Sequence, residues 1–211
     1  MIVEFFGVPG GGKTRLLRQL VAAMPGASEA LVTTRGAIAR GALRFALKHP
    51  VGFFVWIAEL CLYANGLFRY KLGLLLRSMA ALVRAGDARR DSRLVFVDEG
   101  LLQRMLTVFD TPLTPRHVAF LLAVTPLPDL AIVVRGGGFE RFIAASNRNN
   151  SPRVKGGEAR LQAWMQNMRA NAAAIRPLLE QRVRVIACDR DRSEAEYAAI
   201  RQSIEQLRGA V

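Results

Sequence analysis

Gly7-Val8-Pro9-Gly10-Gly11-Gly12-Lys13-Thr14 is the stretch on which the reading of this chain turns. It has the form G-x-x-x-x-G-K-[ST], a loop whose backbone cradles phosphate groups. Glycines let the chain curl until successive N–H groups point inward at phosphate oxygens. Lys13 would reach the β and γ phosphates as a point charge, and the Thr14 hydroxyl would ligate Mg²⁺. The flanks agree with this. Ile2 to Phe6 is an apolar run that reads as a buried strand, and Leu16, Leu17, Leu20 and Val21 follow the loop at helical spacing. A helix starting there aims the positive end of its dipole at the same phosphates.

Working outward, Arg93-Leu94-Val95-Phe96-Val97-Asp98-Glu99-Gly100 is the second informative element. Four apolar residues and then an acid describe a buried parallel strand with a carboxylate at its C-terminal edge. That edge is where open α/β sheets bind ligands. Asp98 is the natural partner of Thr14 in holding Mg²⁺, directly or through water. The role of Glu99 stays open: a base for an acceptor hydroxyl or a water, or a structural carboxylate.

Three further strands are expected at Glu29 to Thr34, Asp129 to Arg135 and Arg182 to Asp189. Helical patterns separate them: Lys13 to Met24, roughly Arg40 to Ala85, Pro115 to Ala123, Glu158 to Gln181 and Ser193 to Leu207. Ser193 precedes Glu194 and Glu196, an N-cap followed by acids in the first turn. Alternation of this kind implies an α/β fold, one five-stranded parallel sheet with helices on both faces, a three-layer sandwich. All 211 residues form a single domain on this reading. Residues 36–92 are a helical insertion after strand 2 that covers the acceptor site. Within it, Val51 to Phe68 carries one charge, Glu59, and nears the length of a membrane span. Glu59, Asn65 and basic residues on both flanks (Arg44, Lys48; Arg69, Lys71) argue against spanning. A buried helix or helical hairpin over the substrate site, or a membrane-surface or partner contact, remains open for residues 51–68; whether the chain forms a homodimer is open as well.

Thirty Lys and Arg against 17 Asp and Glu give a net charge of +13. The excess implies anionic company, although a composition rich in Arg, Ala, Gly and Leu accounts for part of it. No helix-turn-helix, RRM or zinc signature accompanies the charge, so nucleic acid is not the expected partner. Two cysteines and two histidines exclude a disulfide framework and a His-rich metal centre. The start at Met1 shows no basic leader or cleavage site, which sets a cytoplasmic expectation. Residues 135–176 hold eight basic side chains and two acids. Their centre, 146–157, is polar and punctuated by Gly and Pro, and reads as a mobile loop. Residues 136–158 are therefore expected to form an Arg-rich lid after strand 4, closing over polyphosphate.

Three places give the chain a family likeness: Gly7 to Thr14; Pro128-Asp129-Leu130 entering a strand before the Arg-rich segment; and Val183 to Asp189 before an acid-capped final helix. In these it resembles the nucleoside monophosphate kinase branch of P-loop NTPases, most of all thymidylate kinases. The resemblance implies ATP and Mg²⁺ as cofactors. It implies Gly7, Val8, Pro9, Gly10, Gly11, Gly12, Lys13 and Thr14 on the phosphates, and Arg141, Arg148 and Arg153 as lid arginines. Ala187, Cys188 and Asp189 would border the adenine. Two departures stand out: Thr33-Thr34-Arg35-Gly36 replaces the acid-Pro-Gly turn after strand 2, and Asp98-Glu99 replaces Asp-Arg after strand 3. The acceptor expected is thus a sugar, nucleoside or other small metabolite, phosphorylated or not, rather than dTMP. Lys13, Asp98, Glu99, Arg148 and Arg153 would carry the chemistry of an ATP-dependent phosphotransferase. The alternative is a P-loop ATPase or GTPase acting as a switch or partner-binding module, with Glu99 activating water. Neither an Asn-Lys-x-Asp guanine signature nor an ABC-type signature is present.

Overall fold

A computed structural model of the chain describes all residues except 64–66, 92, 137, 149–151, 153–155, 190, 192 and 210–211, and omits the side chains of 145, 146 and 148. The apolar run before the glycine-rich loop becomes β1 (Ile2–Phe6), the central strand of one sheet. Around it lie β2 (Ala27–Glu29), β3 (Leu94–Val97), β4 (Leu130–Arg135) and β5 (Arg184–Asp189). The order is β2-β3-β1-β4-β5, and each neighbouring pair is parallel. Successive side chains of a strand point to opposite faces. Val3 and Phe5 accordingly meet Leu16, Leu17 and Leu20 of α1 (Lys13–Ala23) and Ile200 and Ile204 of α9 (Glu194–Gly209). Phe6, from the other register, joins the larger core on the opposite face.

That opposite face is built from α2 (Arg35–Lys48), α3 (Pro50–Tyr63), α4 (Phe68–Arg90), α5 (Leu101–Thr107), α6 (Pro115–Val124), α7 (Phe139–Arg148) and α8 (Glu158–Glu180). The long helical pattern expected over 40–85 is thus three helices. Pro50 sets the first break. It lacks an N–H and suits the first turn of a new helix, while the residue before a proline is pushed out of the helical region. His49 is at φ −135°, ψ 60°. α2 and α3 diverge there by 117°. The strand expected at 29–34 lies earlier, pairing Ala27 to Glu29 with Leu94 to Phe96. Val32 is buried outside any strand, and Thr34 turns to cap α2 by accepting from the Ala37 N–H at 3.3 Å.

Candidate active site

The sheet brings the glycine-rich loop and the acids after β3 to neighbouring strand ends, because β1 and β3 are paired in parallel. Two glycines show why the loop needs its composition. Gly7 has φ +147°, and a Cβ there would lie 2.3 Å from the Val134 carbonyl oxygen of β4. Gly10 has φ +83°, and its Cβ would lie 2.8 Å from the Arg141 carbonyl oxygen of α7. The loop is therefore seated against a strand on one side and the first helix of the expected lid region on the other. Lys13 is buried, and its Nζ donates to the Gly7 carbonyl at 2.8 Å and the Val8 carbonyl at 3.4 Å. Burial pulls its ammonium pKa down, and the nearby Asp98 and Glu99 oppose that.

Thr14 Oγ1 donates to Asp98 Oδ2 at 2.7 Å. The other oxygen, Asp98 Oδ1, is buried with no hydrogen-bond partner. Burial pushes this carboxyl up, against the Thr14 hydrogen bond and the charge of Lys13. A buried acceptor without a donor costs free energy unless something satisfies it. Mg²⁺ fits the set: it takes one or two protein oxygens and fills its octahedron with water and phosphate oxygens. Asp98 and Thr14 would hold it. No group of three or more His, Cys, Asp or Glu occurs among the described residues that would cage a metal unaided.

Glu99 is fixed by a residue that sequence reasoning missed. Arg104 of α5 is 2% exposed, and its Nη2 donates to Glu99 Oε2. Arg104 Nε donates to Ser78 Oγ of α4 at 2.7 Å, and that hydroxyl donates to the Glu99 backbone carbonyl at 2.6 Å. The guanidinium holds the Glu99 carboxyl below the usual carboxylate range, more strongly than burial raises it. The side chain stays half-exposed, at 48%. α5 also ties the loop to the sheet: Gln103 Oε1 accepts from the Gly7 N–H at 2.9 Å. Glu4 Oε1 of β1 accepts from the N–H groups of Leu102 (2.7 Å) and Gln103 (3.3 Å). Glu4 is fully buried, and burial pushes its pKa up to about 8. An acid inside an apolar strand was a visible signal for it. Arg104 offered little, being one Arg in a run of leucines.

Of the remaining expected site residues, Arg141 lies against the loop through its backbone while Cys188 and Asp189 lie on β5. Arg141 is on α7, and its Nη1 bridges to Asp191 Oδ2 at 3.2 Å. Asp189 ends β5 on the surface, 3.3 Å from Arg135 Nη2. Cys188 is buried among the residues facing α1 and α9. The Arg148 side chain and Arg153 lie outside the described residues. A groove of about 670 Å³ runs between α1 and α9, lined by Arg15, Gln19, Asp191, Ser193 and Tyr197 among others.

A glycine-rich loop between a central strand and its helix, a paired hydroxyl and acid beside it, and five parallel strands define a P-loop kinase fold. Two solved structures share it over nearly the whole chain. Both are of deoxyadenosine kinase from M. mycoides. The one with the products dCMP and a flexible dCDP bound has a TM-score of 0.56 at 12% identity, covering 98% of this chain and 100% of that one. The one with dATP bound has a TM-score of 0.54 at 12% identity, covering 97% and 100%. No family model and no curated protein sequence matches the chain. Both are structures of a nucleoside kinase, and at this identity the likeness is one of fold.

Proposed function

We propose that this protein is an ATP-dependent phosphotransferase that phosphorylates a hydroxyl of a small-molecule acceptor, of nucleoside or related type. The observation that carries this is the Thr14–Asp98 contact at 2.7 Å, with a buried unpaired Asp98 oxygen, directly behind the Lys13 loop. Lys13 and the loop N–H groups bind and orient the phosphates. Asp98 and Thr14 hold Mg²⁺, which supplies neutralisation of phosphate charge. Glu99, held by Arg104, accepts a hydrogen bond from the acceptor hydroxyl and aims its oxygen. Phosphoryl transfer through a loose transition state asks for positioning more than for a strong base. Arg141, Arg148 and Arg153 serve as lid arginines, and the strand-end loop from Asp189 carries the nucleotide base. The nucleotides bound to the structural neighbours favour a nucleoside or nucleotide among acceptors. Thr33-Thr34-Arg35-Gly36, in place of an acid-Pro-Gly turn, disfavours dTMP.

The test is ATP consumption across a panel of nucleosides, nucleoside monophosphates, sugars and amino alcohols, with products identified by mass spectrometry. A phosphorylated acceptor is the expected outcome. Phosphate release with no phosphorylated product from any acceptor would instead favour the ATPase or GTPase switch.

A further inference from the structure

Charge and apolarity in α3 are arranged the wrong way round for a helix that only covers a core. In α3 the one charged side chain, Glu59, is buried, and its Oε2 lies 2.6 Å from His117 Nε2 of α6. Trp56, also buried, donates through Nε1 to Thr125 Oγ1 at 3.0 Å. Gly52 packs so closely that a Cβ would stand 2.4 Å from the Val124 carbonyl oxygen. One side of α3 is thus locked onto α6. The opposite side presents Val51, Phe54, Ala58, Cys61 and Leu62, a stripe at i, i+3, i+7, i+10 and i+11 with no polar group in it, and all five are exposed. Phe54 is 68% and Leu62 70% exposed. Across the bend at His49–Pro50, α2 adds Leu43 and Leu47, the latter 75% exposed. Scattered surface apolar residues are normal; a run along two consecutive helices marks an interaction site.

The charges around this face say what it meets. Of the eight basic side chains in residues 31–86, Lys71 is buried against Asp110 and Arg44 and Lys48 pair with Asp87, which leaves five others against one acid in that span, Glu59. Arg40 on α2, Arg69 at the start of α4 and Arg116 at the start of α6 are exposed. A second copy would bring an identical basic fringe against this one, and each chain already carries +13. An anionic lipid surface meets the fringe with opposite charge and takes the apolar stripe into its acyl boundary. No single helix among the described residues is long and apolar enough to span a bilayer. The α2–α3 pair reaches that length and hydropathy only jointly, and its two helices are bent by 117° at His49–Pro50.

We propose that the outward face of α2 and α3 docks this protein on membranes rich in anionic lipid. Co-sedimentation of the full chain with vesicles of phosphatidylcholine alone, and with about one third phosphatidylglycerol, tests it. Binding to the anionic vesicles should exceed binding to neutral ones by roughly tenfold or more, and should weaken with salt. The double substitution Phe54→Ser, Leu62→Ser should cost roughly another tenfold while circular dichroism and thermal unfolding stay near the parent's. Arg40→Gln with Arg69→Gln should weaken binding severalfold and leave the apolar contribution in place. Equal binding to both vesicle types overturns the proposal. So does anionic binding that survives Phe54→Ser, Leu62→Ser, which would reduce it to diffuse charge attraction. A stable dimer in sedimentation velocity, split by that same pair of substitutions, would assign the face to a second copy instead.

Discussion

Glu99 ends at a strand edge where one carboxylate already faces Thr14, and it is Arg104 that keeps the two acids from sharing a role. Asp98 turns toward the Thr14 hydroxyl while Glu99 is drawn to the guanidinium. Glu99→Gln keeps the shape and an acceptor oxygen but loses the charge that aligns a hydroxyl for attack. Nucleotide affinity should stay within about threefold and kcat should fall by about 10²–10⁴. Equal kcat in single-turnover measurements would leave Glu99 a structural role only. Glu4 makes a different prediction, about stability. Its folded pKa is about 8 against 4.5 for an ordinary Glu. Below about pH 4.5 the carboxyl is neutral in both states; between about 4.5 and 8 the unfolded chain ionises it and the folded chain does not. The unfolded state binds fewer protons in that window, so this group makes stability fall as pH rises, by roughly 5 kcal/mol at full extent. Glu4→Gln removes the ionisation. Its stability relative to the parent should rise between about pH 5 and pH 9, by several kcal/mol in urea melts. A pH-independent difference between the two proteins would mean that Glu4 does not titrate in that range.

Among elements, α5 does the most positioning for its length. All seven of its residues are buried, so no amphipathic period marks it in sequence, and its leucines merge with the apolar text around them. The parts that were legible are those with punctuation. β1 ends at a glycine cluster, β3 at two acids, and β4 begins after Pro128-Asp129. β2 was misplaced because Ala27, Ser28 and Glu29 are only half-buried and carry no apolar run. α2 to α4 read as one continuous helical pattern with its internal breaks unplaced, because apolar residues continue on both sides of Pro50. In the candidate site the loop and Asp98 could be read from spacing. Arg104 and Gln103 could not, because their roles depend on which strand lies under α5. Gln103 makes this testable. Its Oε1 is bonded to the buried Gly7 N–H, and Gln103→Ala leaves that donor with nothing in its place. The cost should be about 1–3 kcal/mol in denaturant unfolding. The same change should weaken ATP binding, since Gly7 opens the phosphate loop. A variant that keeps its stability but loses ATP affinity would restrict Gln103 to the loop's geometry. A variant that keeps both would show that the Gly7 N–H finds another acceptor.

For the whole molecule, a pI near 11.2 complicates any binding measurement with a polyanion. ATP would be attracted to so basic a surface with or without a dedicated site, so affinity alone does not identify the loop as its seat. Stability linkage separates the two cases. A ligand that binds only the folded state at about 100 times its Kd adds about 2.7 kcal/mol. For a chain of this size that is about 5–10 °C in Tm. Diffuse attraction acts on the unfolded chain too, which carries the same charges, and so adds little. The substitution that discriminates is Lys13→Ala. Without nucleotide the exchange gives up hydrogen bonds to the Gly7 and Val8 carbonyls. It also removes a charge whose burial is itself unfavourable. These oppose each other, and the ligand-free Tm should move by no more than a few degrees. With ATP and Mg²⁺ at saturating concentration the parent should gain its full shift and Lys13→Ala almost none, while about 0.3 M salt should leave most of the parent's shift in place. A shift that salt abolishes, or that Lys13→Ala retains in full, would move ATP from the loop to the basic surface at large. The glycine-rich loop would then be a structural turn that the chain does not use for nucleotide.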